Sequence, residues 1–237
     1  MQHDIGEDRA TRQHLIIDAD DTLWHNNIYF ERAVEDFIDF LNHSALSRAD
    51  VRAALNEIET AAAKTGGYGS KSFTRNLHAA YERLAEREID DGALATVMGF
   101  GKRILSQPME PLDGVEPTLQ VLANRHDLIL FTKGDAEEQR LKIDRSGLAG
   151  YFCRQVIVPE KDVPAYLHLL GELASDPTHT WMVGNSPKSD INPALAAGLN
   201  AVFIPYEHTW GLELQDLATG VGQLLVIDRF ADLLDHF

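Results

Sequence analysis

Asp18 and Asp20 stand two residues apart, directly after the apolar run Leu15-Ile16-Ile17. In extended chain alternate residues project to one side, so the two carboxylates share a face. Like charges this close repel, and one of them either binds a cation or holds a proton. Both states are chemically useful. An ionised carboxylate can attack phosphorus and form an acyl phosphate, which splits one hard step into two. A protonated neighbour can deliver a proton to a leaving oxygen and later take one from attacking water. Asp20, Asp21 and Thr22 are also ordinary residues for a turn or a helix N-terminus, so the pair needs support from elsewhere in the chain.

That support comes from the residues after three later apolar runs. Leu128-Ile129-Leu130-Phe131 leads into Thr132-Lys133-Gly134. The Thr132 hydroxyl and the backbone amides of Lys133 and Gly134 can donate to phosphoryl oxygens. Val156-Ile157-Val158 leads to Lys161, whose ammonium can neutralise both a nucleophile and a transferred phosphoryl group. Trp181-Met182-Val183 leads to Gly184-Asn185-Ser186 and then Asp190. Asn185 and Asp190 offer the hard oxygens that magnesium prefers.

The elements that must position these residues follow from periodicity. The short β-branched runs are buried strands, the first cut off by its acidic residues. After Pro111 strands alternate with helices. Asp113 with Glu116 three residues on suggests an N-cap and a helix to about Arg125, followed by helices over 135–146, 164–173 and 191–197, the last terminated by Gly198. Residues 201–204 form a further strand and 224–227 an edge strand. This alternation predicts an α/β, Rossmann-like parallel sheet with helices on both faces, whose ligands gather beyond the carboxyl ends of the strands. Between the first strand and Pro111 the character differs. Val34, Phe37, Ile38 and Leu41 recur at helical spacing, Ser47 with Asp50 opens a second helix with a stripe of Val51, Leu55 and Ile58, and Phe73, Leu77, Ala80 and Leu84 continue the pattern. The expected organisation is a core of residues 1–27 and 108–237 with an all-helical insertion over 28–107.

The formal net charge of −16 argues against duplex nucleic acid, which demands dense Lys and Arg. Residues 1–13 are polar and lack the apolar core of a signal peptide, and no apolar run approaches a membrane span. Cys153 is the sole cysteine, so no internal disulfide forms, and its Tyr-Phe-Cys setting suggests a small buried apolar residue. The expectation is a cytoplasmic protein without nucleic-acid or membrane partners; nothing in the sequence reads on oligomeric state.

With the four polar clusters in this order, the chain resembles the haloacid dehalogenase superfamily of hydrolases. The resemblance rests on Asp18-Ala19-Asp20-Asp21-Thr22, Thr132, Lys161 and Gly184-Asn185-Ser186-Pro187-Lys188-Ser189-Asp190, and it covers nearly the whole chain because the insertion matches the family's helical cap. It implies that Asp18 is the nucleophile and a magnesium ligand. Asp20 would be the general acid/base, with its carbonyl also on the metal; Thr132 and Lys161 would hold the phosphoryl group; and Asp190 would hold the metal or one of its waters. Asn185 stands where the family usually has Asp, which removes one negative charge and implies weaker metal affinity or a direct role for Asp190. Members that cleave carbon–halogen bonds lack the second aspartate, because a leaving halide needs no proton. The resemblance therefore implies a magnesium-dependent phosphomonoester hydrolase working through an aspartyl-phosphate on a small phosphorylated metabolite. A phosphoryl-transfer mutase of the same family and a phosphate-ligand binding protein with weakened catalysis are the alternatives.

Gly66-Gly67-Tyr68-Gly69-Ser70-Lys71 lies between helices and not after a strand, which removes the context a nucleotide-binding loop requires. It reads as a cap loop in which Tyr68 and Lys71 are candidates for substrate contact. The ten histidines show no metal-ligand spacing. His25 reads as a surface or flap residue, and Trp24 as packing where the chain leaves the first strand.

Overall fold

The computed structural model describes residues 12–64, 67–220 and 222–237. The N-terminal segment up to residue 11 and Gly66 of the glycine-rich loop, both part of the sequence reading, lie outside the described residues. The chain divides into two compact units, Met1–His25 with Met109–Phe237, and Asn26–Pro108.

The first unit is built on a six-stranded sheet. Its strands are β1 (His14–Ile17), β2 (Asp127–Lys133), β3 (Arg154–Val158), β4 (Thr180–Gly184), β5 (Asn200–Phe203) and β6 (Leu224–Val226). Their order is β3-β2-β1-β4-β5-β6, and every neighbouring pair is parallel. This is the Rossmann-like α/β fold expected from the alternating pattern. β1 lies between β2 and β4, with Ile17 level with Leu130 on one side and Val183 on the other. Strand order reverses beside β1, which makes the end of β1 the switch point where such sheets bind ligands.

Both faces of the sheet are apolar because both are covered. Leu15, Ile17, Leu128, Leu130 and Val183 pack with Val115, Leu119 and Leu122 of a helix over Val115–Arg125 and with Ile143 of a helix over Ala136–Ser146. Ile16, Ile129, Phe131 and Met182 face the other way, onto Tyr166, Leu169 and Leu170 of a helix over Val163–Leu173. A buried parallel strand therefore reads as a continuous apolar run. Among its described residues the second unit contains four α-helices, α1 (Asn27–Leu41), α2 (Arg48–Ala63), α3 (Ser70–Leu84) and α4 (Asp91–Lys102), around a core of its own that includes Phe37, Leu55, Phe73, Leu77 and Val97. Ser47 caps α2 in a full capping box with Asp50. The helices of the first unit continue the numbering as α5 (Val115–Arg125), α6 (Ala136–Ser146), α7 (Val163–Leu173) and α8 (Asn192–Ala196). No helix among the described residues is long and apolar enough to cross a membrane.

Three local expectations are corrected. α5 is preceded by Gly114 at φ 77°, not by an Asp113 cap; the left-handed turn that glycine permits sets the entry angle. After β4 the chain does not go straight into a helix at Ile191. It passes through a π-helical turn over Pro187–Ile191, capped by the Ser186 side chain, before α8. Cys153 is exposed, because Phe152 takes the inward position just before β3.

Leu130 lies fully buried in β2, next to β1. Leu130→Ala should destabilise the first unit by about 2–5 kcal/mol, read as a lower urea midpoint with an unchanged slope.

Candidate active site

Asp18 is the first residue past β1, and its amide still donates to Val183 O at 2.9 Å, which fixes its backbone to β4. The chain then turns sharply. Thr22 N and Leu23 N both donate to Ala19 O, and Asp21 N donates to Trp24 O. Asp21 sits at φ 65°, a left-handed conformation uncommon for a residue with a Cβ and concentrated at functional sites. This turn brings Thr22 Oγ1 to 2.9 Å from Asp18 Oδ2 and to 3.3 Å from Asn185 Oδ1. None of the backbone bonds of the turn engages the Asp20 carbonyl.

Lys161 occupies the centre. Its Nζ lies 2.5 Å from Asp18 Oδ1 and 2.8 Å from Asp190 Oδ1, with the side chain 1% exposed. The other Asp190 oxygen accepts from Ser186 N at 2.9 Å. Tyr166, packed edge-on against Phe131, donates its hydroxyl to Ser189 O at 2.9 Å and so props the π-helical turn from below. Gly184 has no substitute here, because a Cβ on it would overlap the Asp190 carboxylate. Two carboxylates thus share one buried ammonium. Burial first, and then the Asp190 charge, push the Asp18 carboxyl up to about 7, against the pull of Lys161. Burial acts to lower Lys161, but the Asp18 and Asp190 charges outweigh it and hold the ammonium above its usual value.

Asp20 belongs to a second set of contacts. Trp24 Nε1 donates to its Oδ1 at 2.8 Å, while Gln139 Nε2 at 3.1 Å and Lys142 Nζ at 2.8 Å both donate to Oδ2. Gln139 Nε2 also lies 2.6 Å from Thr132 Oγ1, so Thr132 and Asp20 are joined through one amide. The Asp20 charge adds a small upward push on Asp18.

Asp18, Lys161, Asn185 and Asp190 are therefore brought into one buried cluster, with Asp20 and Thr132 joined beside it. Gly134 is not placed as expected. The Gly134 amide donates to Val158 O at 3.0 Å as a continuation of the β2–β3 pairing, so it is committed and cannot cradle a phosphoryl oxygen. The Lys133 side chain points into an internal network, donating to Glu213 Oε1 at 2.7 Å, Ser189 Oγ at 2.8 Å and Glu160 Oε1 at 3.3 Å. Tyr68 and Lys71 belong to the helical unit, on the loop before α3 and in its first turn. Gln139, Lys142, Tyr166 and Glu213 went unread in the sequence. Gln139 and Lys142 carried a usable signal, since they sit three apart on a helix that starts right after the Thr132 cluster; Glu213, on an irregular loop, carried none.

A doubly wound parallel sheet thus carries carboxylates, a buried lysine and an amide at the ends of β1, β3 and β4, the edge at which such sheets bind ligands. The sequence profile of the haloacid dehalogenase-like hydrolases matches residues 13–198, and the chain belongs to that family. The chain is 28% identical to a haloacid dehalogenase-like family hydrolase from Xanthomonas campestris, with a TM-score of 0.79 over 95% of this chain and 94% of that one. YfnB from Bacillus subtilis, in a form bound to magnesium, shares the fold at a TM-score of 0.67 and 17% identity over 95% and 98% of the two chains. N-acylneuraminate-9-phosphatase of Mus musculus is 35% identical over 100 residues, so the match spans about 40% of the length of that relative and 40% of this chain.

The Asp18 carboxyl contributes stability only while it is protonated. Its folded value of about 7 lies above the ordinary 3.8, so that contribution is full below 3.8 and lost as the pH rises through about 7. Without divalent cations, the melting temperature of Asp18→Asn should gain on the wild type as the pH is raised from about 5 to about 8. A gap between the two proteins that stays constant with pH would contradict the buried charge imbalance.

Proposed function

We propose that this hydrolase is a magnesium-dependent phosphomonoesterase acting on a small phosphorylated metabolite. The observation that carries the reading is the pair of differently held carboxylates: Asp18 bonded to Lys161 and Thr22, and Asp20 held apart from it by Trp24, Gln139 and Lys142. Halide departure needs no acid, whereas an ester oxygen does. A phosphatase among the curated relatives points the same way.

In this reading an Asp18 oxygen bonds to phosphorus as the ester P–O bond breaks, and the electron pair leaves on the ester oxygen, which takes the Asp20 proton. Asp20 then removes a proton from water, whose oxygen bonds to phosphorus while the Asp18–phosphorus bond breaks and restores the carboxylate. Lys161 offsets charge on Asp18 throughout, and Thr132 holds a phosphoryl oxygen.

The donor set suits a hard cation. Asp18 Oδ2, Thr22 Oγ1 and Asn185 Oδ1 converge around a single hydroxyl proton, and Asn185 Nδ2 is turned away onto Thr209 Oγ1 at 3.0 Å. Among the described residues no group of three or more His, Cys, Asp and Glu is placed to hold a metal, so the ligands would include the Asn185 amide oxygen and the Asp20 carbonyl beside the Asp18 carboxylate. Asp190, with both oxygens already bonded to Lys161 and Ser186 N, acts behind them. Magnesium would supply charge neutralisation at the nucleophile and the phosphoryl group. Substrate choice falls to the helical unit, with Tyr68 and Lys71 as the first side chains to vary.

A panel of small phosphate esters should release inorganic phosphate with magnesium and not with excess chelator. Asp18→Asn should abolish turnover, and Asp20→Asn should lower it by about 10²–10⁴-fold. Undiminished turnover in Asp18→Asn would overturn the reading.

A further inference from the structure

We infer that Gln139 and Lys142 are positioning residues that occupy Oδ2 of Asp20 and so assign proton transfer to Oδ1. The inference rests on the acid/base role proposed above for Asp20. A carboxylate offers about four lone-pair sites, two on each oxygen. Oδ2 takes two donors, Lys142 Nζ at 2.8 Å and Gln139 Nε2 at 3.1 Å, while Oδ1 takes one, Trp24 Nε1 at 2.8 Å. The one remaining site is on Oδ1, the oxygen that the α6 donors leave untouched.

The investment in this arrangement is large. Lys142 is buried, with its side chain 6% exposed, and lysine is almost never this deeply buried unless paired. Glu138, one turn earlier on α6, is buried too and lies 3.9 Å from the same ammonium. The Asp135 side chain caps α6 immediately after the Thr132 strand end, which fixes the face on which Gln139 and Lys142 stand. Gln139 spans Asp20 and Thr132, so the acid/base and the phosphoryl-holding hydroxyl share a single support. When the ester P–O bond breaks, its electron pair goes to the leaving oxygen together with the Oδ1 proton, and the O–H pair stays on Asp20. Without the two Oδ2 donors the carboxyl can turn, and the proton can sit on either oxygen.

Leaving-group dependence separates positioning from general damage. Dinitrophenolate departs without a proton, whereas an alkoxide needs one. Phosphoenzyme formation should be timed by rapid quench with an alkyl phosphate monoester and with 2,4-dinitrophenyl phosphate, in the magnesium-loaded full chain. Lys142→Met should slow the alkyl ester by roughly 10–100-fold and leave the dinitrophenyl ester within about twofold of wild type, whereas Gln139→Met, which also releases Thr132, should slow both esters, the alkyl ester by at least about tenfold more. Equal losses on both esters would overturn the inference. Asp20→Asn, run in parallel, should show the same discrimination; if it does not, the acid/base role itself fails. Should Lys142→Met melt below the assay temperature, the ratio of the two ester rates in Gln139→Met decides, because that change removes a neutral donor and no charge, and the release of Thr132 acts on both esters alike.

Discussion

One ammonium buried between two carboxylates governs this molecule. Lys161 cannot stay charged in an apolar interior alone, and neither can Asp18 or Asp190. Each requires the others, and burial first, then the surplus negative charge of Asp190, lifts the Asp18 carboxyl to about 7. The cluster is costly to fold and useful once folded. It keeps a carboxylate close to a cation yet short of full neutralisation, which is the condition in which a further cation or a phosphoryl group is welcome.

The fold exists around that cluster in a direct sense. Asp18 comes from β1, Lys161 from the end of β3, and Asn185 and Asp190 from the turn after β4. Parallel pairing of β1 with β2 and β4 delivers these residues to one edge of the sheet at fixed height. Positions that look purely structural serve the same end. Gly184 leaves room for the Asp190 carboxylate, and Tyr166 reaches from α7 to hold the backbone of Ser189. Lys133 and Glu213 tie the end of β2 to Ser186 and Ser189. Their mutual attraction offsets burial, holding the Lys133 ammonium above and the Glu213 carboxyl below their usual values.

Much of this was legible in the sequence because it depends on local pattern. Short β-branched runs mark strands buried on both faces, and the polar residues that end them mark the reactive edge. The legible part includes Asp18, Lys161, Asn185 and Asp190, which each sit just beyond a strand. What was not legible depends on direction and pairing at long range. The backbone amide of Gly134 follows Thr132 just as a phosphate-binding turn would, but its commitment to Val158 O is decided by the position of β3. The direction of the Lys133 side chain was likewise not legible, because its partner Glu213 lies eighty positions later in the chain. Cys153 was misread because hydrophobic alternation near a strand start is ambiguous by one residue, and one residue exchanges inside for outside.

Asn185 looks at first like a family aspartate that has lost its charge. Its amide nitrogen donates to Thr209 Oγ1, and the Thr209 hydroxyl has its own proton on Tyr206 O at 2.8 Å. An aspartate at 185 would present an acceptor to a hydroxyl whose proton is already in use. Either that proton would leave Tyr206 O or two lone pairs would meet. Positions 185 and 209 are thus coupled through one proton: restoring a charge at the first would pull the Thr209 hydroxyl off Tyr206 O and loosen the turn that this bond closes.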